Sequence, residues 1–344
     1  MNSNNKKVQK DPTKENIKFI LELFNSSKLT EAKKEIDKQI IKYPNSSILF
    51  NIFGAVLAGQ NQFDKAVENY KKAIKINPNY AQAYNNLGTV FHQSDKINEA
   101  IDNYKKAISL NSDFAEAFCN LGNAIRELNK PTDALLYIKK AIKIKPDYAE
   151  AYNSLGETYQ SLRNKKEALD NFEKAIKIKP NYAEAYNNLG LALDDLARFD
   201  ESLLSYNKAI KAKPNYEKPY NNLGNLLSEL GKYDEANDFY LKTIKIKPDH
   251  AKAYSNLLFN YNYMINYDPN LYLSYAKKYR LNCKSIKKNL SFKYQYEKNP
   301  KKLKLGFVSA DFGNHPGGFH TLSTLRELRK RNFELVAYST NDRN

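Results

Sequence analysis

Five primary amides stand in step along the chain: Asn86, Asn120, Asn188, Asn222 and Asn256, separated by 34 residues or by twice 34, with Ser154 in the missing place. A primary amide offers both a donor and an acceptor. A row of them at a fixed rise matches the C=O and N–H groups of an extended polypeptide, so it would hold a backbone without reading side chains. That chemistry requires all of the amides on one surface, and hence a scaffold that repeats with the same 34-residue step.

The sequence supplies such a scaffold. Pro44, Pro78, Pro146, Pro180, Pro214 and Pro248 mark the step, with Ser112 in the one gap. Proline lacks an N–H and clashes with the preceding turn, so each mark closes a helix. Ten residues after each mark comes a glycine, Gly54, Gly88, Gly122, Gly156, Gly190 or Gly224, preceded by leucine in all but the first, which has Phe53. A small residue follows at Ala66, Ala100, Ala134, Ala168, Ser202 and Ala236, then a bulky one at Tyr70, Tyr104, Ile138, Phe172, Tyr206 and Tyr240. Each glycine inside a helix costs about 1 kcal/mol against alanine, so six in register imply close helix packing. Glycine on the first helix and alanine on the second let the pair approach, and the bulky residue is expected to fill the seam with the next unit. The pattern resembles the tetratricopeptide repeat. The resemblance implies a right-handed superhelix of helical pairs whose first helices line a concave face, which is where the asparagine row would lie. Asparagine is frequent at this place in such repeats generally, so consensus scaffolding stands beside backbone binding as its explanation.

Composition narrows the function classes. The formal charge is +17, but lysine dominates it and recurs at helix ends (Lys143, Lys145, Lys177, Lys179, Lys211, Lys213, Lys245, Lys247). Cations in a last turn favour the helix dipole and stay solvated, which argues against a nucleic-acid surface. Cys119 and Cys283 have no metal-ligand spacing, which disfavours a zinc site or a disulfide framework. The polar start and the lack of a long apolar run exclude a signal peptide and a membrane span and point to the cytoplasm.

Residues 1–12 read as a disordered leader, 13–46 as a degenerate first repeat, 47–250 as six repeats, and 251–300 as a capping helix with a helical linker. From 301 the period changes. Leu303–Ser309 alternates like a strand, a loop follows to Gly318, then a helical stretch from Phe319 to Arg331 and a second strand, Phe333–Thr340. Strand, helix and strand form one βαβ unit. One such unit cannot stand alone, so residues 301–344 read as the start of a truncated α/β domain. The expected fold is therefore mostly α, a tetratricopeptide-repeat superhelix followed by an incomplete Rossmann-like unit.

The segment Lys302–His320, KLKLGFVSADFGNHPGGFH, resembles the entry to the catalytic region of the O-linked N-acetylglucosamine transferases and their SPINDLY-like relatives, which also follow tetratricopeptide repeats. The resemblance implies an active-site place for His315, as a base or a substrate-positioning group, with Asp311 and Phe312 shaping the loop. A histidine past the carboxyl end of a parallel strand is well placed for ligand chemistry, and its titration range suits proton transfer. Where the eukaryotic enzymes carry a second histidine this chain has Phe319, with His320 one step on. The implied reaction moves a sugar from UDP-N-acetylglucosamine, or from GDP-fucose as in SPINDLY-type relatives, to Ser or Thr of acceptor proteins held in the concave groove, without a metal. The nucleotide-sugar lobe lies outside these residues, so no cofactor site is expected in this chain and activity alone is not expected. The rival is a non-catalytic repeat adaptor whose α/β tail is a relic or a homodimer contact.

Overall fold

The computed structural model describes residues 11–264, 268–282, 303–309 and 333–339. They fall in two compact units, Met1–Lys284 and Ser285–Asn344.

The first unit is a chain of antiparallel helical pairs: α1 (Lys14–Asn25) with α2 (Leu29–Lys42), α3 (Ser47–Gly59) with α4 (Phe63–Ile76), α5 (Ala81–Gln93) with α6 (Ile97–Leu110), and α7 (Ala115–Glu127) with α8 (Pro131–Ile144). The series goes on through α9 (Ala149–Ser161) with α10 (Lys165–Ile178), α11 (Ala183–Asp194) with α12 (Phe199–Ala212), and α13 (Glu217–Glu229) with α14 (Tyr233–Ile246). It ends in α15 (Ala251–Tyr261) and α16 (Pro269–Asn282). The second helices stop where the proline marks require. Asn77 and Lys145, each just before its proline, are extended at φ −130°, ψ 92° and φ −129°, ψ 92°.

Each turn from first to second helix closes through one left-handed residue, Ser27, Asn61, Asp95, Asn129, Arg163, Ala197 or Gly231. The closing bonds are backbone only: Gln62 N–H donates to Leu57 O at 2.9 Å and Asn61 N–H to Ala58 O at 2.9 Å. This is the crossed pair of a Schellman C-cap. Glycine is the favoured residue there, yet only the last turn has one.

The core follows from the glycine row. A Cβ added at Gly88 would lie 2.7 Å from Cε1 of Tyr104 and 3.2 Å from the carbonyl of Ala100; at Gly190 it would lie 2.6 Å from Tyr206. The bulky residue thus covers the glycine of its own pair as well as reaching the next one, where Tyr70 shares a buried cluster with Leu87 and Val90. The small positions Ala66, Ala100, Ala134, Ala168, Ser202 and Ala236 are fully buried. Ser202 is accommodated because its hydroxyl donates to the carbonyl of Gly190 at 2.8 Å. In the first pair Ile20 takes the glycine place and Ile36 the bulky one, both fully buried in one cluster, so the lost glycine is offset by a smaller partner.

Successive first helices touch each other from α1 to α15, whereas no second helix touches another second helix among the described residues. The first helices therefore crowd the inside of the curve and form its concave lining. At the end of the stack Tyr272 and Tyr275 of α16 pack on Tyr261, with ring centroids 6.0 and 6.4 Å apart.

In the second unit β1 (Leu303–Ser309) and β2 (Phe333–Ser339) pair in parallel, Leu303 opposite Phe333 and Ser309 opposite Ser339. The expected intervening helix, 319–331, lies outside the described residues.

Two stability changes follow. Gly88→Ala should destabilise the stack by about 1–3 kcal/mol through overpacking on Tyr104, measured by urea unfolding. Ala197→Gly relieves an exposed left-handed alanine and should stabilise by about 0.5–1 kcal/mol, read as a raised unfolding midpoint in the same assay.

Candidate functional site

The asparagine row does lie along the first helices, and the structure gives each amide a partner that the sequence reading missed. Asn86 donates to Asn51 Oδ1 at 3.0 Å, Asn120 to Asn85 at 3.0 Å, Asn188 to Asn153 at 3.0 Å and Asn222 to Asn187 at 2.9 Å. Every acceptor sits one residue short of the matching position in the preceding pair. The amides thus form rungs between neighbouring repeats. The signal for this was in the sequence as the doublets Asn85-Asn86, Asn187-Asn188 and Asn221-Asn222. Where Ser154 interrupts the row, Cys119 Sγ stands 3.6 Å from Ser154 Oγ and takes the place of a rung. Asn256 breaks the series: it donates to Asn225 Oδ1 at 2.8 Å, and Asn221 Oδ1 is left buried without a partner among the described residues.

The rungs leave unequal capacity for a ligand. Asn188 donates a second bond to Glu157 Oε1 at 2.9 Å and accepts from Asn187 at 3.3 Å, so both of its N–H groups are engaged. Asn86 accepts from Gln82 at 3.0 Å. Asn120 and Asn222 keep one N–H and the amide oxygen without a partner among the described residues.

A recess in the concave lining is bordered by Asn120, Asn153, Ser154 and Asn188 together with Glu116, Glu150, Glu157, Glu184, Tyr148, Tyr182 and Tyr216. The tyrosines cap the starts of α9, α11 and α13. Lys179 reaches Glu150 at 2.8 Å and lies 4.5 Å from the Tyr182 ring centroid; Lys213 does the same with Glu184, at 2.8 Å, and Tyr216, at 5.1 Å. Burial acts to raise the Glu150 and Glu184 carboxyls, but the lysine hydrogen bonds and charges hold both below the ordinary carboxylate range. Arg126 pairs with Glu157 at 2.6 Å. Burial, with the nearby carboxylates, pushes the hydroxyls of Tyr148, Tyr182 and Tyr216 well above the usual phenol range, so they stay neutral donors. Cys119 is buried and its thiol is pushed up to about 11, chiefly by burial, which makes it a packing residue rather than a nucleophile. Among the described residues no group of three or more His, Cys, Asp or Glu could hold a metal ion, and no helix is long and apolar enough to cross a membrane. His315, Asp311 and Cys283 lie outside the described residues.

Models of the tetratricopeptide repeat match residues 54–95, 88–129 and 122–162, then 149–182, 183–216 and 205–236. Together they run from 54 to 236, more than half of the chain. The chain belongs to the tetratricopeptide-repeat proteins. No curated protein matches it. Among solved structures this tetratricopeptide-repeat protein is similar to the APC/C hetero-tetramer Cut9–Hcn1, at TM-score 0.63 and 17% identity over 69% of this chain and 47% of that one. It is also similar to PilF of Pseudomonas aeruginosa, at TM-score 0.50 and 18% identity over 59% of this chain and 92% of that one. These likenesses concern the repeat fold.

The rungs predict that Asn188→Ala destabilises more than Asn256→Ala. The first leaves the buried Asn153 oxygen unpaired, at about 1–3 kcal/mol; the second removes an exposed bond. Paired thermal melts with equal midpoints for the two variants would contradict the rung assignment.

Proposed function

We propose that this protein is a polypeptide-binding adaptor whose concave lining holds an extended segment of a partner protein by its backbone. The observation that carries this is that Asn120 and Asn222, three repeats apart along the inner helices, each keep one N–H and the oxygen left over from the rung. These groups are complementary to a peptide C=O and N–H. The rungs fix the amides in place beforehand, so little side-chain freedom is lost when a segment docks. The neutral tyrosine hydroxyls of the recess that Asn120 borders add further donors.

A second reading keeps the sugar-transferase resemblance. It is favoured by the parallel pairing of β1 and β2, as an opening βαβ unit requires, and by the residue pattern of 302–320. In it the groove would deliver Ser or Thr of an acceptor to a site that includes His315 and Asp311, with UDP-N-acetylglucosamine or GDP-fucose as donor. The adaptor reading stands first because the repeats account for the matched residues, whereas transfer rests on a short motif. Genomic sequence downstream of codon 344 separates the two. A continuing frame with further strands and a lysine-bearing nucleotide site supports transfer; a stop supports the adaptor.

For the groove itself, the double variant N120A/N222A should weaken capture of an uncharged, unstructured peptide by about tenfold, the loss of two ordinary hydrogen bonds. Fluorescence polarisation measures it, with circular dichroism confirming that the helices persist. Unchanged affinity would remove these amides from ligand binding.

A further inference from the structure

Carboxylates line the groove of a chain that is basic overall. The formal net charge is +17, yet Glu116, Glu150, Glu157 and Glu184 line the recess, and Lys218 is the one lining cation among the described residues. Three of the four carboxylates are paired, Glu150 with Lys179, Glu184 with Lys213 and Glu157 with Arg126. Glu116 is the exception. It holds the same first-turn place in α7 as Glu150 in α9 and Glu184 in α11, and Lys145 stands where Lys179 and Lys213 stand in their repeats. Lys145 instead lies 5.1 Å from the centroid of the Tyr148 ring. Among the described residues the exposed Glu116 carboxylate receives only the amide of Asn85, at 3.0 Å.

A first-turn glutamate is explained by its helix N-terminus alone, so the carboxylates by themselves indicate no ligand. The polar groups beside them do. Asn153 is 6% exposed and borders the recess. Its oxygen takes the Asn188 rung, while its amide N–H groups have no acceptor among the described residues. Tyr216 is 9% exposed, borders the same recess, and its hydroxyl has no hydrogen-bond partner among the described residues. Neither the Asn153 amide nitrogen nor the Tyr216 hydroxyl is among the enclosed polar atoms that lack a partner, so both donors open to the recess and stand ready for an acceptor there.

Resting on the reading that the groove binds polypeptide, we propose that the recess between α7 and α13 takes a lysine- or arginine-bearing extended segment of a partner protein, with a partner cation on Glu116 and a partner backbone carbonyl on the Asn153 amide. The paired glutamates are offset by Lys179, Lys213 and Arg126, so the preference rests on Glu116. An acidic segment or a nucleic acid would meet the same carboxylates with the wrong sign.

The test is fluorescence polarisation of the full chain with labelled, unstructured peptides of equal length that carry lysine, glutamine or glutamate at the same variable positions. The lysine peptide should bind about tenfold tighter than the glutamine one at low ionic strength, and the advantage should shrink as salt shortens the screening length. Glu116→Gln should cut lysine-peptide affinity by about two- to fivefold, as expected of an exposed ion pair, change glutamine-peptide affinity by less, and lower the melting temperature only by the small amount expected of one first-turn charge. Equal binding of the lysine and glutamate peptides, or lysine selectivity untouched by Glu116→Gln, overturns the proposal while the groove reading survives. Failure of all the peptides to bind overturns the groove reading itself.

Discussion

The contact between a glycine and the large side chain sixteen residues later governs this molecule. With no Cβ at Gly54, Gly88, Gly122, Gly156, Gly190 or Gly224, the ring or branched chain of the same helical pair lies directly on backbone. That fixes how close the two helices come. It also fixes the tilt at which each pair meets its neighbour, because the same large residue projects into the next cluster. Six copies of one contact then set one curvature, and the curvature brings the first helices together on the inside.

Polar order on the inner face depends on that spacing. Rungs such as Asn188 to Asn153 at 3.0 Å form only when adjacent first helices keep the same separation, so their recurrence is a readout of the core. The rungs also decide which amides remain for a ligand. Asn188 is engaged on both N–H groups, whereas Asn120 and Asn222 are not. Identical positions in the repeat are therefore chemically different, and the difference comes from neighbours such as Glu157 rather than from the asparagines themselves.

Most of the helical stack was legible in the sequence because its determinants are local and periodic: proline marks, the glycine row and the small residues that face it. Ser202, the one departure from alanine in that row, is explained only by its bond to Gly190, which joins two helices. In the sequence the asparagine row reads as one line, explained either by backbone binding or by consensus scaffolding. The structure shows two lines locked together by hydrogen bonds at an offset of 35 residues, one step outside the 34-residue period. The carboxylate lining of the recess was hidden for a similar reason. A whole-chain charge of +17 averages over an outer surface rich in lysine, and a sum carries no information about which side of a curve each charge occupies.

The turns between the paired helices hold one more consequence. Each closes through the same main-chain cap, and their left-handed residue is in turn serine, asparagine, aspartate, asparagine, arginine, alanine and glycine. No side chain is needed to keep the pitch there. A rim of seven tips is thus free to drift in charge and size while the coil beneath keeps its gauge, so new surface specificity can be written on that edge without rebuilding the interior.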